Sequence, residues 1–173
     1  MQKNAAGPAS RKQVSRLDRE TEGLSKYLTF VLDEERFGAA IDSVREILEV
    51  GAVVHIPGTP DHLYGAINLR GAAVPVIDLR RKFGMRAKER TVDTRIIIME
   101  IAFDGERALV GALADAVEEV FELEPGESKD APRIGTCIKP EFIRGIASLH
   151  DRFVHVLDLT TLFSRQELAT AAS

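Results

Sequence analysis

Two aspartates, Asp78 and Asp158, stand at matching places in a repeated stretch, and no other pair in the chain comes as near to catalytic chemistry. Two carboxylates held close together share a proton and split their pKa values, the arrangement of an acid protease. Such enzymes resemble one another in carrying Asp-Thr/Ser-Gly in each half. Here Asp78 is followed by Leu79-Arg80 and Asp158 by Leu159-Thr160, with no glycine. The same two residues also have a structural reading. Each ends an apolar run and precedes apolar residues at i and i+4 (Leu79 and Phe83, Leu159 and Phe163), the position of a helix N-cap. The four histidines, His55, His62, His150 and His155, form no H-E-x-x-H and pair with no cysteine at ligand spacing. His150 and His155 lie where they could face each other across a hairpin, as a polar rim rather than a metal site. Cys137 is the only cysteine, which leaves no intrachain disulfide and no thiolate metal site. There is no Walker A, G-x-G-x-x-G or G-x-S-x-G motif. The reading is a chain with no catalytic set, no metal site and no cofactor. Arg70 offers binding chemistry instead: it sits at a turn between apolar flanks, beside Asn68 and Gly71. A guanidinium there suits bidentate pairing with a carboxylate, either on a partner protein or on the chain's own surface.

The elements that must position these residues follow from an internal repeat. Residues 65–83 align without a gap on 145–163: Gly65 on Gly145, Leu69 on Leu149, Val74 on Val154, Asp78 on Asp158, Phe83 on Phe163. Within each copy two short apolar runs flank a turn, at Arg70-Gly71 or His150-Asp151, and so predict a β-hairpin followed by a helical turn. Upstream, at a different shift, residues 37–47 match 110–120, each an apolar strand containing glycine that runs into Asp-x-Val-x-Glu. Residues 27–32 and 36–41 predict a first hairpin, and 95–103 with 107–114 another, turned at Asp104-Gly105. Val44, Ile47 and Leu48 behind Asp42 predict a short helix, residues 51–56 a strand stopped by Pro57, and 117–123 a further strand. Residues 124–139 form the longest irregular stretch, and 159–169 a terminal helix. About ten short strands without long crossover helices predict a mostly β fold, two pseudo-symmetric five-stranded barrels packed together with short helices and a C-terminal helix. The organisation expected is a tail over 1–25, a domain over 26–163 made of two barrel subdomains split near 84–94 with strands exchanged between them, and a helix end and tail over 164–173.

Composition narrows the function classes. The 173-residue chain has a net charge of -4 and no stretch of eighteen apolar residues, so neither general nucleic-acid binding nor a membrane-spanning helix is expected. The N-terminal tail has no apolar signal region. It mixes Lys3, Arg11, Lys12, Arg16 and Arg19 with Asp18, Glu20 and Glu22, and cytoplasm is the default compartment.

Across residues 24–163 the chain resembles the CheW family of chemotaxis coupling proteins. The resemblance rests on Gly65-x-x-Asn68-Leu69-Arg70-Gly71-x-x-Val74-Pro75-Val76-Ile77-Asp78-Leu79-Arg80, preceded by Phe37-Gly38, Glu46-Ile47 and Ile56-Pro57-x-x-Pro60. It implies two intertwined SH3-like barrels and a non-catalytic adaptor between a transmembrane chemoreceptor and a histidine kinase, touching the membrane only through the receptor array. It further implies a receptor-binding groove at Val44, Gly65, Asn68, Arg70, Val117 and Gly145, and a contact with the kinase's regulatory domain at Val53, Ile56 and Pro57. The tail lies outside the resemblance, and His150, Asp151 and His155 make the second hairpin more polar than the first.

Overall fold

The computed structural model describes residues 25–124 and 138–172, so the expected tail, Cys137 and most of the irregular stretch 124–139 lie outside the described residues. Strands β1 (Ser25–Leu32) and β2 (Glu35–Ala40) form a hairpin with Phe30 opposite Phe37. A 3-10 turn at Ile41–Ser43 carries the chain into a second sheet as β3 (Val44–Glu49). There it builds β4 (Leu63–Leu69), β5 (Ala72–Asp78), helical turn α1 (Leu79–Lys82), β6 (Arg95–Phe103) and β7 (Glu106–Ala114). At Asp115 the chain returns to the first sheet with β8 (Ala116–Leu123), β9 (Ile143–Leu149) and β10 (Arg152–Leu157), and it ends in α2 (Leu159–Leu162) and α3 (Arg165–Ala172).

The sheet orders are β8-β1-β2-β10-β9 and β3-β6-β7-β5-β4. The strands of the second sheet are consecutive in sequence and form the central barrel. The terminal barrel joins the first hairpin to the last three strands. Residues 84–94 connect α1 to β6, two elements on the same side of the division, so the sheets part at Ile41–Ser43 and Asp115 rather than near 84–94. In each barrel one parallel contact, β10 with β2 or β5 with β7, sits among antiparallel pairs.

Three apolar clusters account for this arrangement. Ile67, Val74, Val76, Ile96 and Ile98 fill the central barrel, and Tyr27, Phe121, Leu123, Ala147, Val154 and Val156 fill the terminal one. The largest cluster lies between the barrels and takes Phe30 and Phe37 from one sheet and Ile97, Met99 and Ile101 from the other. Strand β6 shows why: its consecutive Ile96, Ile97, Ile98 and Met99 are all buried, alternating between the interior of its own barrel and the shared seam. Each such side chain contributes about 1.5–3 kcal/mol on burial. Rings cross the seam in sequence, Phe30 to Phe37 at 5.8 Å, Phe37 to Phe83 at 5.4 Å and Phe83 to Phe142 at 6.0 Å.

Three expected elements differ. No helix follows Asp42. Val44, Glu46 and Leu48 are half-buried and alternate with exposed Arg45, Ile47 and Glu49 on a strand paired with β6, which satisfies the backbone that a helix would have bonded internally. The strand expected over 51–56 is a single bridge between Val54 and Ala66. The terminal helix breaks at Phe163 and restarts behind Ser164, whose Oγ accepts from the Glu167 N–H (3.1 Å) while Glu167 Oε2 accepts from the Ser164 N–H (2.9 Å), a reciprocal capping box.

Candidate functional site

The β4–β5 hairpin tip is built for a left-handed turn: Arg70 has φ +50° and Gly71 φ +88°, and the Gly71 N–H donates to Asn68 Oδ1 at 2.8 Å. The turn throws the Arg70 side chain across to β3, where its Nη2 donates to Glu46 Oε1. Because β3 and β4 are the two edges of the central sheet, this pair closes the barrel. Arg70 remains 75% exposed in its side chain, while Glu46 is mostly covered and its Oε2 is buried with no hydrogen-bond partner. The guanidinium therefore keeps open donors toward solvent, and its intramolecular bond holds it in one orientation.

The repeat copies this clasp. Residue Glu46 corresponds to Glu119 in the second half and Arg70 to His150, and His150 Nε2 lies 3.1 Å from Glu119 Oε1 at the matching edge of the terminal barrel. Sequence reasoning left Glu46 and Glu119 unassigned; applying both repeat shifts together would have found them. His150 and His155 do not face each other: His150 is at the exposed tip, and His155 is buried opposite Ile146 and 5.2 Å from the Phe37 ring. Burial pushes the His155 imidazole below its ordinary value despite the nearby Glu35 carboxylate, and its Nδ1 has no partner.

Val44 on β3 and Val117 on β8 occupy corresponding positions just after the two crossings between sheets, and both pack, half-buried, against the shared cluster. A bulge between Val44 and Glu46 sets Val44 opposite Met99 of the seam and Glu46 opposite Ile98 of the central barrel, so the apolar position and the clasp lie two residues apart on β3 but on different sides of it. Beside them Glu100 sits between Arg45 (2.8 Å) and Arg107 (2.8 Å), whose hydrogen bonds bring its pKa down to about 2.

Gly65 is placed elsewhere. It is buried with φ +157°, and a Cβ there would lie 2.5 Å from the Val54 carbonyl oxygen and 2.6 Å from Val53 Cγ1. The segment carrying Val53, Ile56 and Pro57 thus rests directly on Gly65, fixed by the paired bonds Val54 N–H to Ala66 O (2.8 Å) and Ala66 N–H to Val54 O (2.9 Å). Val53 turns into the central core while Val54 is 68% exposed. Gly145, its counterpart, is buried on β9 opposite Val156.

The two aspartates act locally. Asp78 Oδ1 accepts from the N–H groups of Arg80 (3.0 Å) and Arg81 (3.4 Å), and Asp158 Oδ1 from those of Thr160 (3.2 Å) and Thr161 (3.3 Å). Bonding to the Thr160 hydroxyl leads the effects that hold Asp158 below the usual carboxylate range. Among the described residues no bond joins the two carboxylates, and no group of three His, Cys, Asp or Glu is placed for a metal ion. No helix of the described residues is long and apolar enough to cross a membrane.

The CheW-like domain family matches residues 26–167, which span both barrels. The chain belongs to the CheW-like family. Chemotaxis protein CheW of Klebsiella aerogenes is 35% identical over 156 residues, covering 90% of this chain and 91% of its own. A probable chemotaxis protein CheW of Rhizobium etli is 31% identical, covering 87% of this chain and 94% of its own. The crystal structure of the scaffolding protein TtCheW from Thermoanaerobacter tengcongensis superposes with a TM-score of 0.72 at 36% identity, covering 83% of this chain and 90% of that one. Within this CheW-like fold Asn68 and Arg70 lie at the β4–β5 tip, Val44 and Val117 pack against the shared cluster, and Gly65 supports the segment of Val53, Ile56 and Pro57.

Proposed function

We propose that this chain is a non-catalytic adaptor of a chemotaxis pathway, working in the cytoplasm between the tip of a transmembrane chemoreceptor and the regulatory domain of a histidine kinase. Membership of a family whose relatives carry chemotaxis and scaffolding names supports it, and so does the exposed Arg70 held in place by Glu46. A receptor's helical hairpin would lay its apolar face against Val44 and Val117, with a carboxylate meeting the open side of Arg70 and Asn68 nearby. Gly145, on β9 opposite Val156, would mark the corresponding part of the terminal barrel. The kinase's regulatory domain would pair with the central barrel at Val53, Ile56 and Pro57, a segment tied to β4 at one bridge. Each contact is expected to be weak alone and effective through repetition in an array. Whether the output is flagellar, pilus-based or another is decided by which kinase is served.

The acid-protease reading finds no support in a fold where each aspartate caps its own helix. Pull-down by a receptor cytoplasmic tip and by the regulatory domain tests the adaptor reading. Arg70→Ala is expected to reduce receptor capture roughly tenfold, the effect of losing one interface hot spot of about 1.4 kcal/mol, with kinase capture unchanged. Wild-type chain that retains neither partner would overturn the proposal.

A further inference from the structure

Between the barrels, away from the Arg70 tip, lies a groove of about 520 Å³ that the proposed contacts do not use, save at Ile56 on its rim. Its floor is apolar, from Ile56, Pro60, Leu63 and Pro75 of the central barrel and Phe142 and Leu162 beyond the second crossing. Corresponding positions of the repeat, His62 with Phe142 and Lys82 with Leu162, line it together, so it lies where the two halves meet.

One wall is fixed by a satisfied charge cluster. The buried Glu167 carboxylate of α3 accepts from Lys82 Nζ at 3.0 and 2.8 Å, lies 2.7 Å from His62 Nε2 and accepts from the Ser164 N–H. That wall has no acidic charge to spare. At the rim Lys139 is exposed; its Nζ lies 5.9 Å from the Phe142 ring centre, and among the described residues it forms no ion pair. The lining thus carries Lys82, Lys139 and His62 against a single carboxylate, in a chain whose net charge is -4.

We propose that this groove is a second docking surface for the regulatory domain of the kinase, taking two or three apolar side chains of an amphipathic segment with a carboxylate set against Lys139. The inference rests on the proposed kinase contact at Val53, Ile56 and Pro57, because Ile56 belongs to both surfaces and a partner seated on that segment reaches the groove without a gap. Charge selects this occupant over the chain's own N-terminal residues, where five cations outnumber three anions through residue 24. An apolar floor with a cationic rim binds an acidic amphipathic segment and repels a basic one.

The test is calorimetric titration of the full chain with the isolated regulatory domain, at low and high salt, using Lys139→Glu and the groove-filling Thr161→Trp. Both positions are exposed, and circular dichroism checks that the variants fold. The expected result is an affinity about three- to tenfold weaker for Lys139→Glu, with a reduced salt dependence, and about tenfold weaker for Thr161→Trp, with receptor-tip capture unchanged. Wild-type affinity in both variants, with binding lost in Pro57→Glu at an exposed position of the proposed kinase contact, overturns the groove while leaving the kinase contact standing. No binding by wild-type chain removes both. Tighter binding of the domain after deletion of residues 2–24 would assign the groove to the tail, and a concentration-dependent mass increase lost in Thr161→Trp would assign it to a second copy; either overturns the proposal.

Discussion

At the scale of single residues, Arg70 and Gly65 carry different tasks from those their neighbourhood in sequence implies. Arg70 is a surface cation whose orientation is set by Glu46, so its use in binding draws on an arginine already held in place rather than on a mobile chain. Gly65, three residues before Asn68, is a foundation for another surface: any side chain there meets the Val54 carbonyl. Gly65→Ala is expected to destabilise the fold by about 1–3 kcal/mol, since overpacked backbone must shift. It is also expected to weaken capture of the regulatory domain more than that of the receptor tip. Urea melts and paired pull-downs check both effects, and equal loss of the two partners would return Gly65 to the receptor groove.

At the scale of elements, the two one-turn helices α1 and α2 exist because an aspartate caps each. Four residues cannot sustain a helix by propagation, and the N-terminal N–H groups need an acceptor. Asp158→Ala is expected to cost about 1 kcal/mol, the usual loss for an N-cap. Thermal unfolding reads the change. Strand β3 shows the opposite balance: its sequence has helical spacing at Val44, Ile47 and Leu48, but pairing with β6 and burial of alternate residues against two clusters outweigh that weak local preference.

At the scale of the molecule, the barrels are locked by Arg80, buried on α1 of the central barrel. Its guanidinium meets Asp115 at 2.8 and 2.6 Å, reaches Asp33 at 3.3 Å and donates to the Arg86 carbonyl at 2.8 Å. Asp115 stands where the chain crosses between sheets and also accepts from the Asp33 N–H at 2.7 Å, so one cluster ties the β1–β2 turn, the crossing and α1 together. Burial is the largest single influence on Asp115 and opposes its ionisation, but the Arg80 hydrogen bonds, the Asp33 N–H and the Arg80 and Lys88 charges together outweigh it and hold the carboxyl below its ordinary value of 3.8. A depressed acid favours the folded state above its unfolded pKa, so this contribution is intact at neutral pH and is lost as pH falls below 3.8 through the folded value. Arg80→Leu strands a buried carboxylate and is expected to lower stability by about 3 kcal/mol at pH 7, while flattening the acid limb of the stability curve. Unfolding should remain a single transition in denaturant, because the shared cluster leaves neither barrel a complete core. By itself the sequence determined that one β unit is used twice, where its hairpins turn, which aspartates cap, and that Arg70 lies at a tip, all consequences of local periodicity and turn chemistry. Tertiary structure alone decided that the strands exchange at Ile41–Ser43 and Asp115, that Glu46 meets Arg70, and that Gly65 underlies Val53 and Val54, because each joins residues whose proximity comes from packing two incomplete cores against one seam.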